Sequence, residues 1–185
     1  MKTICVFCSA GDVQEKYSNI AKGLAQCMVD NGYDLVWGGS NVGFMKIIAD
    51  EVQTRGGKII GISVEMLKDK RRMNANEMII TRDLHERKQQ FLKRGDAFIL
   101  LPGGIGSLDE ITEILEYKKH NLHNKPIVVI NTDGFYTGLN DQLTRMYKEG
   151  FIRKPLSELL RFVDSPKEAI DLINDQLPRS LYGSA

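Results

Sequence analysis

Short apolar runs and stretches of helical spacing alternate along this chain of 185 residues. The runs include "TICVFC" (3–8), "DLVWGG" (34–39) and "DAFILL" (96–101), and apolar residues recur at helical spacing between them. Strands that are apolar on both faces and alternate with helices are typical of a parallel sheet covered by helices on both sides. We therefore predict an α/β fold, with one Rossmann-like domain over residues 1–178 and a flexible tail over 179–185.

The overall charge does not indicate a polyanionic partner, because the net charge is +1 and the isoelectric point is about 7.7. We expect no binding to nucleic acid and none to a membrane surface. No apolar run approaches the ~20 residues that span a bilayer. The apolar stretch from Ile4 to Cys8 is also shorter than the ~7–15 residues of a signal peptide's hydrophobic region. We therefore expect a soluble cytoplasmic protein.

Three cysteines and two closely spaced histidines are the candidates for a metal site. An odd number of cysteines without an export signal argues against disulfides. Cys5 and Cys8 form a C-x-x-C pair, but positions three apart on a strand face opposite sides. His120 and His123 have no acidic or thiol neighbour in the sequence. We expect Cys5, Cys8 and Cys27 to be buried free thiols, and we predict no metal site.

The stretch "LLPGGIGSLDE" (100–110) ends a predicted strand and leads into a helix predicted over 107–119. Glycines let backbone N–H groups approach an anion, and the positive end of a helix dipole adds to the attraction. The same letters also fit a capping box, S-x-x-E, in which Ser107 and Glu110 bind each other's backbone N–H groups. Local sequence leaves both interpretations open. The phosphate-binding candidates are Gly103, Gly104, Gly106 and Ser107.

A second glycine turn, "WGGSNVGFMK" (37–46), follows another predicted strand. Neither this turn nor "CSAGD" (8–12) has the G-x-G-x-x-G fingerprint of dinucleotide binding. Two glycine turns at the carboxyl edge of one sheet suit a mononucleotide, with phosphate on one turn and sugar or base near the other. We therefore expect no dinucleotide cofactor, and we take Gly38 and Gly39 as substrate-binding candidates.

A helix crowded with polar residues begins in "DLHERKQQF" (83–91). Arg87 and Lys88 are suited to clamp a phosphate or to polarise a leaving base. The alternative is a solvated helix face, which is the commoner role of charge-rich helices, with His85 as a surface or capping residue. Local sequence again does not decide.

Taken together, "HERK", "LPGGIGSLDE" and "GGSNVGFM" closely resemble the LOG (LONELY GUY) family of cytokinin riboside 5′-monophosphate phosphoribohydrolases, long mislabelled as lysine decarboxylases. The family signature PGGxGTxxE matches residues 102–110, with Ser107 in place of threonine. The resemblance covers almost the whole chain. Two further departures are Ser40 and Lys46, which stand where the family has glycine.

The resemblance implies hydrolysis of an N-glycosidic bond, without metal or cofactor, in a homodimer or larger homo-oligomer. It implies that Glu110 and Arg87 are catalytic and that Lys88 binds substrate. Asp109, beside the glutamate, is a further substrate-binding candidate. A family substrate-binding glutamate corresponds to Asp69, which lies in "KDKRRMNANE" (68–77), a polar stretch without periodicity that we predict as a loop.

The implied substrate is a nucleoside 5′-monophosphate, either a cytokinin nucleotide or AMP, and the products are the free base and ribose 5-phosphate. A carboxylate at the ribose stabilises oxocarbenium character and activates water, which we assign to Glu110. A cation at the leaving base is the role assigned to Arg87. The alternative is a nucleotide-binding module or a carrier of a phosphorylated cofactor without hydrolysis. In such a module Arg87 and Glu110 need not meet.

Overall fold

A parallel sheet forms the centre of the protein, which the computed structural model describes over residues 1–12 and 14–177. All neighbouring strands run parallel, as the apolar runs predict. The strands are β1 (Lys2–Phe7), β2 (Tyr33–Trp37), β3 (Ile59–Val64), β4 (Glu77–Thr81), β5 (Ala97–Leu100), β6 (Ile127–Ile130) and β7 (Arg161–Val163). Their spatial order is β4-β3-β2-β1-β5-β6-β7. The predicted α/β class is confirmed.

Helices connect the strands and cover both faces of the sheet. None of the helices within the described ranges is long and apolar enough to cross a bilayer. Two short 3₁₀ helices, Glu65–Lys70 and Thr132–Gly134, complete the structure. The α-helices are α1 (Glu15–Asp30), α2 (Gly43–Thr54), α3 (Leu84–Arg94), α4 (Ile105–Lys119), α5 (Thr137–Lys148), α6 (Leu156–Leu159) and α7 (Pro166–Gln176).

The core lies in two layers, one on each face of the sheet. On one face, α1, α2 and α7 bury side chains such as Leu24, Phe44 and Ile170. On the other, α3 to α6 bury side chains such as Phe91 and Ile111. Each fully buried side chain of this size stabilises the fold by about 1.5–3 kcal/mol, so the two layers hold the carboxyl edge of the sheet in a fixed shape.

Strand order reverses at β1, and this reversal positions the candidate site. The chain builds the sheet outward from β1 to β4, and then crosses over so that β5 lies on the other side of β1. In open α/β sheets such a reversal leaves a crevice beyond the carboxyl ends of the strands, where ligands bind. The crevice here lies between the loops that follow β1, β2 and β5.

The structure differs from the predicted elements in three places. Helix α4 begins at Ile105 instead of residue 107. The polar stretch 68–77 is not wholly a loop, because the 3₁₀ helix extends to Lys70, and the short helix α6 was not predicted. The tail predicted over 179–185 lies outside the described residues. Cys5 and Cys8 are buried in opposite core layers, as their spacing predicts, and all three cysteines are free.

Candidate active site

Loops after β1, β2 and β5 converge at the carboxyl edge of the sheet. The backbone N–H groups of Phe44 and Met45, at the start of α2, donate to the carbonyl oxygens of Gly11 and Ser9 at 3.1 Å. The N–H of Leu101 donates to the carbonyl oxygen of Phe7 at 2.9 Å. The second glycine turn is therefore fixed against the loop that follows β1, and the strand end before the first glycine loop is fixed against the end of β1 itself.

The start of α4 decides between the two interpretations of the first glycine loop. Gly104 is the N-cap residue, and no side chain caps the helix. Ser107 lies inside the first turn, so the alternative of a capping box with Glu110 is excluded. Caps of this kind are found on α3, where the Asp83 carboxylate accepts from the backbone N–H of Glu86 at 2.8 Å, and on α7, where the Ser165 hydroxyl accepts from that of Glu168 at 3.3 Å.

The hydroxyl of Ser107, which caps no helix, lines a cavity beside the glycines of the first loop. Ser107 is only 5% exposed, and its hydroxyl has no hydrogen-bond partner within residues 1–12 and 14–177. Gly103 allows this placement, since a Cβ on Gly103 would lie 2.3 Å from the Ser107 Oγ. A hydroxyl that is open to a cavity at a helix start, next to backbone N–H groups, is suited to bind an anion.

Arg87 and Glu110 meet across the crevice as a buried ion pair. The Nη1 of Arg87 lies 2.5 Å from Oε1 of Glu110, and both residues are 7% exposed. Nε of Arg87 donates to the carbonyl oxygen of Ile62 at 2.8 Å, and its guanidinium lies 4.8 Å from the ring centroid of Phe91. These contacts hold the arginine in one position, from which it orients the carboxylate.

The second glycine turn allows the arginine to reach this position. Nη2 of Arg87 lies 3.4 Å from the carbonyl oxygen of Gly38. A Cβ on Gly38 would lie 2.6 Å from the same nitrogen, so any side chain here would displace the guanidinium. Gly39 has φ +74° and makes the turn itself, outside the cavities.

Two adjoining cavities open on either side of Arg87. The cavity next to the first glycine loop has a volume of about 230 Å³, and the other, next to the second glycine turn, has about 110 Å³. Both are lined by Ala10, Met45, Leu67 and Arg87. We call them the loop cavity and the far cavity. The loop cavity is also lined by Cys8, Ser9, Gly104, Gly106, Ser107 and Glu110, and the far cavity by Gly38, Ser40, Ser63 and Lys70.

Burial controls the electrostatics of the pair. Burial raises the pKa of the Glu110 carboxyl above its ordinary value, and the charge of Arg87 opposes the rise. Burial likewise raises the pKa of Cys8, and the negative charge of Glu110 adds to the effect. A carboxyl with a raised pKa, beside a cation in a cavity, is typical of a catalytic acid or base.

Five of the predicted site residues line neither cavity: Gly39 and Gly103 in the two glycine turns, and Lys88, Asp109 and Asp69. Lys88 pairs with Glu113 at 2.5 Å and with Asp109 at 3.2 Å, on the outer face of α3 and α4. Asp69 is exposed on the 3₁₀ helix and lines neither cavity. The next residue, Lys70, lines the far cavity in its place. In the part of the chain that the structure describes, no three Cys, His, Asp or Glu residues are grouped to hold a metal ion.

Sequence reasoning missed the residues that close the far cavity. Ser63 is the last residue but one of β3, and Leu67 and Lys70 lie on the 3₁₀ helix that follows it. Their stretch has no periodicity and no known motif, so only the contacts of the folded chain identify them.

A family model described as "Possible lysine decarboxylase" matches residues 45–173. Cytokinin riboside 5′-monophosphate phosphoribohydrolase LOG1 of Arabidopsis thaliana is 34% identical over 182 residues, covering 96% of this chain and 85% of the relative. LOG5 of the same plant is 33% identical over 180 residues, covering 96% of this chain and 79% of the relative. The chain belongs to the LOG family. The resemblance carried by the glycine loop and "HERK" is thus confirmed.

Solved structures with the same fold are more distant from this LOG-family chain. The molybdenum cofactor binding protein of Rippkaea orientalis has a TM-score of 0.72 at 22% identity, covering 96% of this chain and 98% of that one. The molybdenum cofactor carrier protein of Chlamydomonas reinhardtii has a TM-score of 0.68 at 20% identity, covering 96% and 99%. At this identity the likeness shows the fold alone.

Proposed function

We propose that this LOG-family protein hydrolyses the N-glycosidic bond of a nucleoside 5′-monophosphate, either a cytokinin nucleotide or AMP. The products are the free base and ribose 5-phosphate. The observation that carries the proposal is the buried contact of Arg87 with Glu110, at 2.5 Å, at the junction of the two cavities. The activity named for LOG1 and LOG5 supports it.

The phosphate binds in the loop cavity. Gly104 and Gly106 line this cavity at the start of α4, and a Cβ on either would meet no protein atom within 4 Å. Their backbone N–H groups, the helix dipole and the Ser107 hydroxyl together favour an anion. With the phosphate fixed here and the base in the far cavity, the bond between ribose and base lies next to Glu110 and Arg87.

The carboxylate and the guanidinium then take separate roles. As the bond from ribose C1′ to the base nitrogen lengthens, positive charge develops on the ribose, and the ionised Glu110 stabilises it. Glu110 also accepts a proton from the water that attacks C1′. The bonding electron pair leaves with the base, where Arg87 stabilises the negative charge until the nitrogen takes a proton from solvent. Glu110 returns the proton of the attacking water to solvent, so that one water is consumed in total.

A binding module without hydrolysis fits the geometry less well. It would need the glycine turns but would not need Arg87 and Glu110 to converge, and they are in direct contact.

Lysine decarboxylation through a Schiff base requires a neutral amine. Hydrogen bonds from Lys88 to Glu113 and Asp109 raise the pKa of its ammonium and keep it charged.

Base release from AMP and from isopentenyladenosine monophosphate, measured by chromatography, tests the proposal. We expect an active wild type and a kcat lowered by about 10²–10⁴-fold in Glu110→Gln, since the general base is lost. Glu116→Gln is the matched control on the same helix, because its exposed side chain pairs with Lys119. Equal rates in wild type and Glu110→Gln would contradict the role of Glu110.

We also propose a cytoplasmic homodimer or larger homo-oligomer. Large apolar side chains are exposed at the helix starts and on the 3₁₀ helix around the crevice: Leu84 is 49%, Met66 is 76% and Ile105 is 87% exposed. Such a patch favours association with another subunit. The free thiols agree with a reducing compartment. Light scattering after size exclusion would contradict the proposal if it gave the mass of a single chain.

A further inference from the structure

A second buried guanidinium, that of Arg72, lies outside the catalytic pair. Arg72 is 6% exposed and follows the 3₁₀ helix Glu65–Lys70 by two residues. None of the chemistry assigned above uses it. Because a buried arginine is stable only when its donors are paired, the partners of Arg72 identify the segments that it joins.

The guanidinium of Arg72 binds α2 and the second glycine turn together. Nε and Nη2 donate to Oε1 of Gln53 at 3.0 and 2.6 Å. Nη1 lies 2.6 Å from Oδ1 of Asp50 and 3.2 Å from Oδ1 of Asn41. Gln53 and Asp50 belong to α2, and Asn41 belongs to the turn.

Backbone contacts strengthen the same connection. The N–H of Arg72 donates to the carbonyl oxygen of Gly39, and the N–H of Asn41 donates to that of Lys70, both at 2.8 Å. The chain next to Arg72 forms an antiparallel bridge with Ser40. The segment after the 3₁₀ helix is therefore fastened to the turn by main chain and side chain alike.

This connection joins two segments that line the far cavity. Leu67 and Lys70 line it from the 3₁₀ helix, and Gly38 and Ser40 line it from the turn. Arg72 joins these two walls from behind and does not line the cavity. Without the guanidinium contacts, only main-chain hydrogen bonds would hold this segment to the turn, so the 3₁₀ helix would be held less firmly, whereas the glycine loop at the start of α4 would keep its own contacts.

We infer that Arg72 is a positioning residue that holds the 3₁₀ helix Glu65–Lys70 over the base, and so governs base binding without touching the substrate. This inference rests on the proposed function, because it places the base in the far cavity. It predicts that changes at Arg72 weaken binding of a nucleotide much more than binding of its phosphoribosyl part alone.

The test compares AMP with ribose 5-phosphate by titration calorimetry, in the Glu110→Gln background so that AMP is not consumed. Arg72→Lys keeps the charge but cannot bind Gln53 and Asp50 in the same planar arrangement. We expect the Kd for AMP to rise about tenfold, which corresponds to about 1.4 kcal/mol, while the Kd for ribose 5-phosphate stays within about twofold. Gln53→Ala, which removes one acceptor, should raise the Kd for AMP by about threefold.

Arg55→Lys is the matched control, because Arg55 pairs with Glu51 on the surface of the same helix, at 2.8 Å. It should change neither Kd, and thermal melts should show that all variants fold. If both Kd values rise together in Arg72→Lys, or neither does, Arg72 has no selective role and the inference is overturned. Wild type that binds AMP without hydrolysing it contradicts the proposed function alone. A chain that binds neither ligand contradicts both.

Discussion

The two glycine turns face the same crevice but are held in place by different parts of the chain. The loop at 103–107 is built locally, since Gly103 packs against Ser107 and the next helix begins at once. The turn at 38–41 is held by side chains from far along the sequence, chiefly Arg72 and Arg87. The proposed phosphate cradle is thus encoded in a few adjacent residues, whereas the proposed wall around the base requires the assembled fold.

The largest effect is expected from a methyl group on the second turn. In Gly38→Ala the new Cβ would lie 2.6 Å from Nη2 of Arg87 and 3.0 Å from the side chain of Met45. The guanidinium must move, and Glu110 moves with it. We expect kcat/KM to fall by about a hundredfold, as is typical when a catalytic group is misplaced by ~1 Å.

Steady-state kinetics with AMP checks this, and Gly138→Ala on α5 is the control because its Cβ would meet no atom within 4 Å. If Gly38→Ala retained full activity, the close approach of Arg87 would not matter for catalysis. The second turn would then be no more than a spacer between strand and helix.

A pH profile of the activity tests the ionisation of Glu110, whose carboxylate lies between the two turns. Burial raises the pKa of Glu110, and the proposed mechanism needs the ionised form. Protonation at low pH should therefore abolish hydrolysis, with kcat/KM falling about tenfold per pH unit below an inflection that lies above the ordinary glutamate pKa of about 4.3. The initial rate of base release between pH 4 and 8 measures it.

An inflection at or below the ordinary glutamate value would contradict the buried setting of the carboxyl. The acid limb should also disappear from the residual activity of Glu110→Gln, because an amide does not titrate. If the limb remained in that variant, it would report another group.

Alanine substitutions at two glycines of the first loop should differ in their effect on stability. In Gly103→Ala the Cβ would lie 2.3 Å from Oγ and 2.6 Å from Cβ of Ser107, so the loop must shift. Overpacking of this kind typically costs about 1–3 kcal/mol of unfolding free energy. Gly104 has φ −90° and ψ −161°, and its Cβ would meet no protein atom within 4 Å. Gly104→Ala should leave the melting temperature nearly unchanged.

The same two substitutions should rank the other way in their effect on ligand binding, with the larger loss of affinity in Gly104→Ala. The methyl group of Gly104→Ala projects into space that the phosphate would use, so the Kd for ribose 5-phosphate should rise several-fold, by about 1 kcal/mol or less. Thermal melts and titrations of both variants check the contrast. A destabilised Gly104→Ala with unchanged affinity would mean that the loop does not hold the phosphate.

The sheet and the first loop could be predicted from sequence because their signals are local. Runs such as "DAFILL" and the glycines after them impose strand, turn and helix within a few residues of one another. The convergence of Arg87 and Glu110 required the resemblance to the LOG family, since the two are 23 positions apart. Neither residue type nor spacing alone indicates that they meet.

Neither the start of α4 nor the role of Arg72 could be predicted from the sequence, and each failure has a physical reason. Ser107 and Glu110 have the spacing of a capping box, but Gly104 takes the N-cap position, and the helix gains two residues. Arg72 lies in a polar stretch without periodicity, and charged residues in such a stretch are expected to be exposed to solvent. Only the packing of that stretch against α2 makes one of these arginines buried.

The smallest effect is expected from substitution of Lys88, which belongs to neither turn. Its ammonium lies 2.5 Å from Glu113 and 3.2 Å from Asp109, and it lines neither cavity. Lys88→Gln should therefore leave the Kd for ribose 5-phosphate within about twofold. The resemblance to the LOG family implies the opposite, a lysine that binds substrate. A tenfold weaker Kd in Lys88→Gln would show that the ammonium leaves its carboxylate partners when the ligand binds, and would extend the site beyond the two turns to the outer face of α3.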